Sequence, residues 1–476
     1  MRRRDFLRKT AGSLAFLTLP VTGCEFKPRR PNIIYILADD LGYGDLGCYG
    51  QKQIQTPHID RMAYQGMRFT DHYAGSTVCA PSRGSLMTGY HTGHGYVRGN
   101  ANQGAGLPLR QQDITVAELL QEAGYVTGIF GKWGLGTEGT SGHPNRQGFD
   151  EFFGYLNQVH AHNYYPEYLW ENQRKYSLDN EVRYMQSGYA EDVGGEAVKK
   201  RQYSPDIIQE KVLEFIDHNH SNSFFLYVPV TIPHANNEAP HISGSHGMEI
   251  PDYGIYAERD WPEPQKGLAA MITRLDGYVK EILDRLAQYN LSEKTLVLFS
   301  SDNGPHKEGK NNPGFFDSNG PFRGIKRDLY EGGIRVPLIA CWPGTIQPDL
   351  VTSHVSAFWD FLPTACDLAD ITPPGEIDGI SFSPTLLGKR QTEHEYLYWE
   401  FAPFGGRQAV RQNQWKAVRR NVTKNPDRPV ELYDLSVDPE ENHDLAESLP
   451  EVAGRMKTLL HRSRTPSDRF PLFSEE

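Results

Sequence analysis

The chain contains, at residues 32–40, the stretch N-I-I-Y-I-L-A-D-D, an unbroken apolar run that ends in two carboxylates. A short apolar run that is rich in β-branched residues and does not alternate is typical of a strand buried on both faces of a parallel sheet. Open α/β sheets bind ligands at the carboxyl ends of such strands, which is where Asp39 and Asp40 stand. When the pair is considered alone, an acidic turn explains it equally well.

Further apolar runs predict strands at residues 125–130, 224–230 and 295–300, each followed within a few residues by polar side chains. Amphipathic helical patterns at residues 204–219 and 267–289 precede the last two runs. This alternation predicts an α/β fold with a mostly parallel sheet sandwiched by helices. Because polar residues follow all of these strands, we expect them to contribute to one site.

The pattern changes after residue 379, where alternating apolar patches predict antiparallel strands. The patches lie at residues 396–399, 415–418 and 432–435, and a helix is predicted at about residues 450–461. The sequence therefore predicts a larger domain at residues 31–384 and a smaller C-terminal α+β domain with an antiparallel sheet at residues 385–476.

The composition is that of a folded protein without a general affinity for nucleic acid. Of the 476 residues, 38% are hydrophobic, which is enough for a substantial core. The 49 basic and 60 acidic side chains give a net charge of −11, so no nucleic-acid partner is expected. An anionic ligand would need a local basic pocket.

The N-terminus has the pattern of an export signal, with a basic start, an apolar run at residues 11–20 and then V-T-G-C at residues 21–24. The apolar run is too short to span a bilayer. The arginine pair followed by F-L resembles a twin-arginine signal, and V-T-G-C resembles a bacterial lipobox. Residues 1–24 therefore predict an exported lipoprotein, periplasmic or at the cell surface, anchored to the membrane through lipidated Cys24. The alternative is a plain cleaved signal with a chance cysteine.

The other cysteines define no disulfide framework. Apart from Cys24 and Cys79, the chain has Cys48, Cys341 and Cys366. We expect most of these three to be buried free thiols, although an exported protein would permit one disulfide.

Residues 78–90 read V-C-A-P-S-R-G-S-L-M-T-G-Y and place a cysteine, a Pro-Ser pair and an arginine where a loop should enter a helix. Proline and serine favour the start of a helix, and the backbone N–H groups there favour an anion. Cys79 is then placed for chemistry beside a negatively charged ligand. The alternative is a small buried thiol ahead of a helix capped by Ser82.

This motif, C-x-P-S-R at residues 79–83 followed by T-G at 88–89, resembles the signature of the formylglycine-dependent (type I) sulfatases. In that family a maturation enzyme oxidises the cysteine to an aldehyde, formylglycine (3-oxoalanine). The resemblance extends from Pro31 to the segment L-Y-D-L at residues 432–435 and implies an alkaline-phosphatase-like architecture. It also implies that Cys79 is the precursor of the catalytic group.

Two of the predicted strand ends offer a set of oxygen ligands, namely the carboxylates of Asp39, Asp40 and Asp302 and the amide of Asn303. Hard oxygen ligands suit Ca²⁺ or Mg²⁺ rather than Zn²⁺. The resemblance implies that these residues hold Ca²⁺, which in the family also contacts the formylglycine, here at position 79, and a sulfate oxygen.

Cations come from separate segments of the chain, at Arg83, Lys132, His234 and Lys326. Each could instead be a solvated side chain or a surface ion pair. Lys326 lies in G-P-F-R-G-I-K at residues 320–326, ahead of Y-E-G-G-I-R-V-P at 330–337, and both strings resemble the family. The resemblance implies that Lys326 contacts sulfate, and we expect Lys132 and His234 to do so as well. Arg83 can pair with the formylglycine or with the metal carboxylates.

The mechanism that the resemblance implies begins with hydration of the aldehyde at position 79. One hydroxyl attacks sulfur, the alcohol leaves with His234 as the candidate acid, and deprotonation of the second hydroxyl expels sulfate. Many relatives have Gly-Lys-x-His at this point, whereas this chain has Gly134 in place of the histidine that serves the formylglycine.

Candidates for the missing base are His306, which follows Asp302 closely, and His160 and His162 in a segment rich in Tyr, Asn and His. This segment, residues 158–202, has no clear period, and we interpret it as an excursion near the site. The sequence is equally consistent with histidines that only shape the substrate pocket.

The sequence thus predicts an arylsulfatase-like sulfuric ester hydrolase whose substrate is an aryl sulfate or, preferentially, a sulfated carbohydrate. A phosphomonoester or phosphonate hydrolase on the same fold is the enzymatic alternative. A catalytically silent lipoprotein that binds sulfated glycans is the other alternative, because the usual histidine is missing. Four basic residues could meet neighbouring anionic sugars or form a solvated face: Arg411, Lys416, Arg419 and Arg420.

Overall fold

The computed structural model describes residues 30–100, 106–188 and 190–474. The predicted signal and lipobox, including Cys24, lie outside these residues. In the part of the chain that is described, no helix is both long and apolar enough to cross a membrane.

Strands and helices are interspersed along the chain, and four consecutive strands near the C-terminus precede the last helix. The strands of the described residues are β1 (Asn32–Ala38), β2 (Met67–Phe69), β3 (His72–Tyr73), β4 (Val126–Lys132), β5 (Glu151–Tyr155), β6 (Tyr168–Glu171), β7 (Arg174–Ser177), β8 (Glu181–Tyr184), β9 (Gly195–Lys199), β10 (Phe224–Pro229), β11 (Thr295–Ser301), β12 (Leu338–Cys341), β13 (Leu350–Thr352), β14 (Ser356–Ala357), β15 (Leu397–Phe401), β16 (Arg407–Gln412), β17 (Trp415–Arg420) and β18 (Glu431–Asp434). The α-helices are α1 (Pro57–Tyr64), α2 (Cys79–Thr88), α3 (Val116–Glu122), α4 (Ser204–Asn219), α5 (Ala239–Ile242), α6 (Glu263–Gln288), α7 (Glu331–Ile334), α8 (Phe361–Leu368), α9 (Ser383–Leu386) and α10 (Pro450–Arg462).

The large sheet has ten strands in the order β13-β2-β12-β11-β1-β10-β4-β5-β6-β7. Its centre, from β11 to β5, is parallel throughout, whereas β12 and β6 pair antiparallel at the two sides. The predicted mostly parallel sheet is therefore confirmed. Because β1 pairs with both β10 and β11, the residues that follow these three strands are neighbours at one edge of the sheet.

Helices cover both faces of this sheet, which explains the unbroken apolar character of β1. Ile34 and Ile36 pack on one face with α4 and α6, and Ile33 and Tyr35 pack on the other face with α2, α3 and α8. The predicted bounds of α4 are confirmed, whereas α6 begins at Glu263, ahead of the predicted residue 267, because a proline is tolerated in its first turn.

The segment without a clear period, residues 158–202, contains four short strands. β6 and β7 extend the large sheet, and β8 and β9 form a separate hairpin. All side chains of β7 are exposed and those of β8 are exposed or half-buried, so neither strand buries a regular apolar face that the sequence could reveal.

The C-terminal sheet is antiparallel in the order β15-β16-β17-β18, as predicted. One of its faces is covered by α10 through Met456 and Leu460. The other face packs against the large domain, where Trp399 lies in one core with Tyr73 and Trp359. The domain boundary at residue 385 stays a prediction.

The described cysteines form no disulfide. Cys341 and Cys366 are buried free thiols, as expected, and Cys48 is half-buried. Burial raises the pKa of all three thiols, so they remain protonated near neutral pH.

The expectation that four basic residues near the C-terminus form a sugar-binding or solvated face is wrong for three of them. Lys416 and Arg419 are fully buried, and Arg411 is buried with Nη1 2.9 Å from Asp71 Oδ1. These side chains face the protein interior from a sheet that is covered on both sides. Only Arg420 of the four is exposed, and it pairs with Glu431.

Lys416 joins the C-terminal sheet to α7 of the large domain through a buried charge cluster. Its Nζ lies 2.8 Å from Glu331 Oε1 and 2.9 Å from Glu441 Oε1, and all three side chains are fully buried. Removing Lys416 would leave the buried Glu441 carboxyl without its cation and Glu331 with Arg335 as its remaining cationic partner.

We therefore expect Lys416→Ala to lower the free energy of unfolding by about 3–5 kcal/mol, because two carboxylates would lose their shared cation. Urea unfolding followed by circular dichroism measures this change. The matched control is Lys424→Ala, which removes an exposed lysine and should change the free energy by less than about 0.5 kcal/mol. Equal effects of the two variants would contradict the structural role of the cluster.

Candidate active site

The polar residues predicted at the strand ends lie together at the carboxyl edge of the parallel sheet. Asp39 and Asp40 follow β1, and Asp302 and Asn303 follow β11. Lys132 is the last residue of β4, and a turn after β10 brings in His234. All of these side chains are buried.

Cys79 enters this group at the start of α2. The helix begins at Cys79 itself, after the extended residue Val78, rather than at the Pro81-Ser82 pair. Ser82 does not cap it, because its hydroxyl instead accepts a hydrogen bond from the backbone N–H of Gly75. The first residue of the helix therefore places the thiol beside the ends of the strands.

The thiol of Cys79 is held between an anion and a cation. It donates a hydrogen bond to Asp39 Oδ1 at 3.2 Å and accepts one from Lys132 Nζ at 3.5 Å. Burial raises the pKa of the thiol, and the Asp39 carboxylate raises it further. Near neutral pH the unmodified side chain is thus a protonated thiol rather than a reactive thiolate.

Arg83, one turn further along α2, forms ion pairs with both Asp39 and Asp302. Its Nε and Nη2 lie 3.1 and 2.9 Å from Asp302 Oδ2, and Nη2 lies 3.3 Å from Asp39 Oδ2. Nη1 donates to the backbone carbonyl of Lys132. Arg83 therefore pairs with the predicted metal carboxylates, which was one of its two expected roles.

Lys132 and Lys326 neutralise the neighbouring carboxylates. Lys132 Nζ lies 2.7 Å from Asp39 Oδ2, and Lys326 Nζ lies 2.7 Å from Asp40 Oδ2. Burial alone would lower the pKa of both ammonium groups, but Asp39 and Asp40 raise them above their ordinary values. Both lysines thus remain charged in the interior.

The pKa values of two of these carboxyl groups, Asp39 and Asp302, are shifted in opposite directions. Burial would raise the pKa of Asp39, but Lys132, His234, Arg83 and Lys326 hold it well below its usual range. For Asp302, burial and the nearby Asp39 charge raise the pKa above its ordinary value. A further cation beside Asp302 would favour its ionised form.

The donor set at this edge fits a hard divalent cation. Asn303 Nδ2 donates to Asp40 Oδ1 at 2.7 Å, whereas the buried Asn303 Oδ1 has no hydrogen-bond partner among the described residues. Ligand atoms of Asp39, Asp40, Cys79 and His234 all lie within 4.8 Å of one another. Carboxylate and amide oxygens are typical ligands of Ca²⁺ and Mg²⁺.

His234 lies on the Lys326 side of the cluster as a neutral ring. Its Nδ1 donates to the Ala235 carbonyl at 2.7 Å, so Nε2 is the acceptor that faces Lys326 Nζ at 3.1 Å. Burial and the Lys326 charge lower the pKa of His234 well below its ordinary value. Its predicted role as an acid therefore requires an anion that counteracts both effects, and it stays a prediction.

The three histidines considered as replacement bases lie in different surroundings. His306 and His162 stack on His234 at ring-centroid distances of 5.9 and 4.6 Å. Both nitrogens of His306 have partners, since Nε2 lies 3.2 Å from the Pro233 carbonyl and Nδ1 accepts from the Glu308 N–H at 3.1 Å.

His162 and His160, the other two candidate bases, contact neighbouring side chains. His162 Nδ1 lies 3.1 Å from the Glu238 carboxylate. His160 instead packs on Tyr155 and Tyr168, and burial lowers its pKa to about 4. The assignment of a base to any of these histidines stays a prediction.

Gln158, which the sequence did not single out, fills the space beside Gly134. A Cβ added at Gly134 would lie 2.6 Å from Gln158 Nε2 and 2.8 Å from its Cγ. Gln158 is buried, and within the described residues its Nε2 has no hydrogen-bond partner. The only sequence signal for this residue is indirect, because a glycine at position 134 leaves room that another side chain must occupy.

Comparison with known proteins gives a consistent family assignment. The family profile described as Sulfatase matches residues 31–371, and the profile described as N-sulphoglucosamine sulphohydrolase, C-terminal, matches residues 319–465. Human arylsulfatase A is 33% identical, covering 90% of this chain and 87% of its own length. The N-acetylgalactosamine-6-O-sulfatase of Bacteroides thetaiotaomicron is 31% identical, covering 94% of this chain and 97% of its own.

A solved structure shares the fold over most of its length. The crystal structure of Ps i-CgsB in complex with k-i-k-neocarrahexaose matches with a TM-score of 0.75 and 27% identity, covering 91% of this chain and 93% of that one. The similarity therefore includes both the large sheet and the C-terminal sheet.

The packing of Gln158 against Gly134 can be tested with alanine. We expect Gly134→Ala to lower the free energy of unfolding by at least about 2 kcal/mol, because it adds overpacking against Gln158 to the cost of a positive φ. The matched control is Gly139→Ala, which has nearly the same φ but nothing within 4 Å of the new Cβ and should cost about 1 kcal/mol. Urea unfolding measures both, and Gln158→Ala should rescue part of the Gly134→Ala loss. If the two glycine variants are equally destabilised, Gln158 does not occupy this space.

Proposed function

The chain belongs to the sulfatase family, and we propose that it hydrolyses a carbohydrate sulfate ester with a formylglycine made from Cys79 and a bound Ca²⁺. The coarser activity, sulfuric ester hydrolysis, is that of its family. The observation that carries the proposal is the position of Cys79 at the start of α2, with Sγ 3.2 Å from Asp39 Oδ1 and 3.5 Å from Lys132 Nζ.

The state of the thiol supports its role as a precursor. A cysteine nucleophile needs a depressed pKa, and burial beside Asp39 does the opposite for Cys79. The side chain is nevertheless surrounded by ion pairs that a structural thiol does not need. Oxidation by a maturation enzyme would convert this unreactive thiol into the catalytic group.

Two groups would supply chemistry that the amino acids lack: the hydrated formylglycine offers the hydroxyl that attacks sulfur, and Ca²⁺ draws negative charge from a sulfate oxygen. Asp39, Asp40, Asp302 and Asn303 would hold the cation. The unpaired Asn303 Oδ1 and the raised pKa of Asp302 support this assignment.

The cations of the site would bind the sulfate oxygens. Lys132 and Lys326 already stand at 2.7 Å from Asp39 and Asp40, so their positions are set before substrate arrives. Preorganised charges stabilise developing negative charge without a cost of reorganisation. Arg83 keeps Asp39 and Asp302 in place through its ion pairs.

His234 is the candidate acid for the departing alcohol. A sulfate bound against Lys326 would offset the charge that now lowers the pKa of the imidazole. Its Nε2 could then take up a proton and donate it to the leaving oxygen, while Nδ1 remains bonded to the Ala235 carbonyl.

A sugar sulfate is the proposed substrate class because of the relatives. One relative is named N-acetylgalactosamine-6-O-sulfatase, and one structural neighbour was solved with k-i-k-neocarrahexaose. A second candidate function, a catalytically silent binder of sulfated glycans, is favoured by Gly134 at the place of the usual histidine. We further propose from the sequence that residues 1–24 direct export and that lipidated Cys24 anchors the protein to a membrane.

Removal of Cys79 tests the nucleophile. We expect Cys79→Ala, produced together with a formylglycine-generating enzyme, to lower kcat/KM for sulfate esters by at least about 10³-fold, because no hydroxyl would remain to attack sulfur. Sulfate release from aryl sulfate and from sulfated oligosaccharides measures the loss. Peptide mass spectrometry of the parent enzyme should show the aldehyde at position 79.

Cys48→Ala is the control, since Cys48 is a free, half-buried thiol outside the site, and it should keep the activity of the parent. An unmodified Cys79 in protein from its natural host, without sulfate release, would favour the silent binder. Faster turnover of aryl phosphate than of aryl sulfate would favour a phosphoesterase.

Chelation tests the cation. We expect Ca²⁺, added back to protein from which a chelator has removed metal, to raise the free energy of unfolding, because Ca²⁺ binds only the folded site. The gain should be about 2.7 kcal/mol when the Ca²⁺ concentration is 100 times its Kd. Thermal unfolding with and without Ca²⁺ measures this gain, and sulfatase activity should return with it. Asn303→Ala should reduce the gain, whereas Asp260→Asn, which changes an exposed carboxylate, should leave it unchanged. A gain that is the same in Asn303→Ala would remove this residue from the ligand set.

A further inference from the structure

A recess of about 560 Å³ opens beside the catalytic lysine, Lys326. Three parts of the chain form it, namely the loop after β11 with Lys307 and Glu308, the segment around Lys326, and the turn between β15 and β16 together with the start of β16. Its charged and aromatic lining includes Lys307, Lys326, Arg327, Asp328, Phe404 and Arg407.

The recess adjoins the active site through the side chain of Lys326. Lys326 belongs to both, since its Nζ contacts Asp40 and His234 while its side chain also lines the recess. The next residue, Arg327, donates its backbone N–H to the Thr77 carbonyl at 3.1 Å, close in sequence to Cys79. A substrate with its sulfate at Lys326 would therefore extend naturally into this space.

Phe404 presents a largely exposed aromatic ring at the recess, with the Arg407 guanidinium carbon 5.7 Å from the ring centroid. The residue is 62% exposed, although phenylalanine is normally buried. Its backbone has φ +57°, which is unusual for a bulky residue, and the turn is held by hydrogen bonds from Val422 N to Gly406 O and from Thr423 N to Gly405 O. The fold thus holds an apolar ring in water, where the apolar face of a sugar ring could cover it.

The recess has one cation in excess although the protein as a whole is acidic. Its lining contains four cations and two carboxylates, and Lys326 is also paired with Asp40, whereas the net charge of the chain is −11. Arg327 pairs with Glu308, and Arg407 pairs with Asp328 at 2.8 Å. Lys307 is exposed, and in the part of the chain that the structure describes its ammonium group has no ion pair or hydrogen bond. It is therefore available to an anion.

We propose that this recess binds the sugar next to the sulfated one, with Phe404 against the apolar face of the ring and Lys307 paired with a second anionic group. The substrate is then a glycan with anionic groups on neighbouring sugars, rather than an isolated sulfate ester. The second anion is a carboxylate or a sulfate, since both pair with an ammonium group. This inference rests on the proposed sulfatase function and specifies the substrate class of the same site.

The experiment compares kcat/KM of the matured enzyme for substrates that share the reactive sulfate. Three are disaccharides whose second sugar is neutral, carries a carboxylate or carries a sulfate, and the fourth is an aryl sulfate without a second sugar. We expect the anionic neighbours to raise kcat/KM by about 10-fold over the neutral one, mainly through KM. The better of the two anionic substrates identifies the second group.

Two variants separate the contributions. Lys307→Met should abolish the preference for an anionic neighbour, and Phe404→Ala should lower kcat/KM for all disaccharides by about 10-fold relative to the aryl sulfate. The matched controls are Lys424→Met and Tyr64→Ala, an exposed lysine and a 65% exposed aromatic outside the recess, which should leave all ratios unchanged. Circular dichroism verifies folding.

The proposal is overturned if the parent enzyme shows no preference among the disaccharides, or if Lys307→Met and Phe404→Ala change all four substrates equally. Either result leaves the sulfatase function intact. If the matured parent enzyme hydrolyses no sulfate ester, the proposed function fails. The binding of sugars in the recess is then tested by calorimetry, which compares the affinity of the disaccharides for the parent protein and for Phe404→Ala. Equal affinities in that measurement would reject it.

Discussion

The buried carboxylate of Asp39 is the constraint on which the site depends. It contacts Lys132 at 2.7 Å, the Arg83 guanidinium at 3.3 Å and the Cys79 thiol at 3.2 Å, with no exposure to solvent. Burying a charge lowers the stability of the fold by several kcal/mol unless its partners are in place. The elements β1, α2 and β4 must therefore bring their charged side chains into contact. The parallel register of the sheet meets this condition, because it brings the carboxyl ends of its strands to one edge.

The same requirement links the C-terminal sheet to the chemistry. Lys416 is buried against Glu331, which begins the short helix α7 close in sequence to Lys326. Arg407, at the start of β16, donates to the backbone carbonyl of Arg327. The small sheet thus supports the segment that carries Lys326, the residue proposed to bind sulfate, and its β15–β16 turn lines the same recess as Lys326.

Most of the fold and of the donor set could be predicted because these features depend on local pattern. The strand ends at Asp39, Lys132 and Asp302 and the motif at Cys79 each stand out in short windows of sequence. The failures involve long-range packing. Arg419 and Lys416 have the sequence appearance of solvated residues, and only the position of the C-terminal sheet between α10 and the large domain makes them buried.

Gly134 shows where sequence pattern stops being informative and tertiary packing has to be known. The sequence by itself determined the α/β pattern, the acidic strand ends, the cysteine motif and the absence of a histidine at position 134, because each is a matter of residue type and spacing. Only the tertiary structure decided that Gln158 fills the space beside Gly134, that burial raises the pKa of the Cys79 thiol and that burial lowers the pKa of His234. The reason is physical, since the charge and packing of a buried group depend on distances to residues that are far away along the chain.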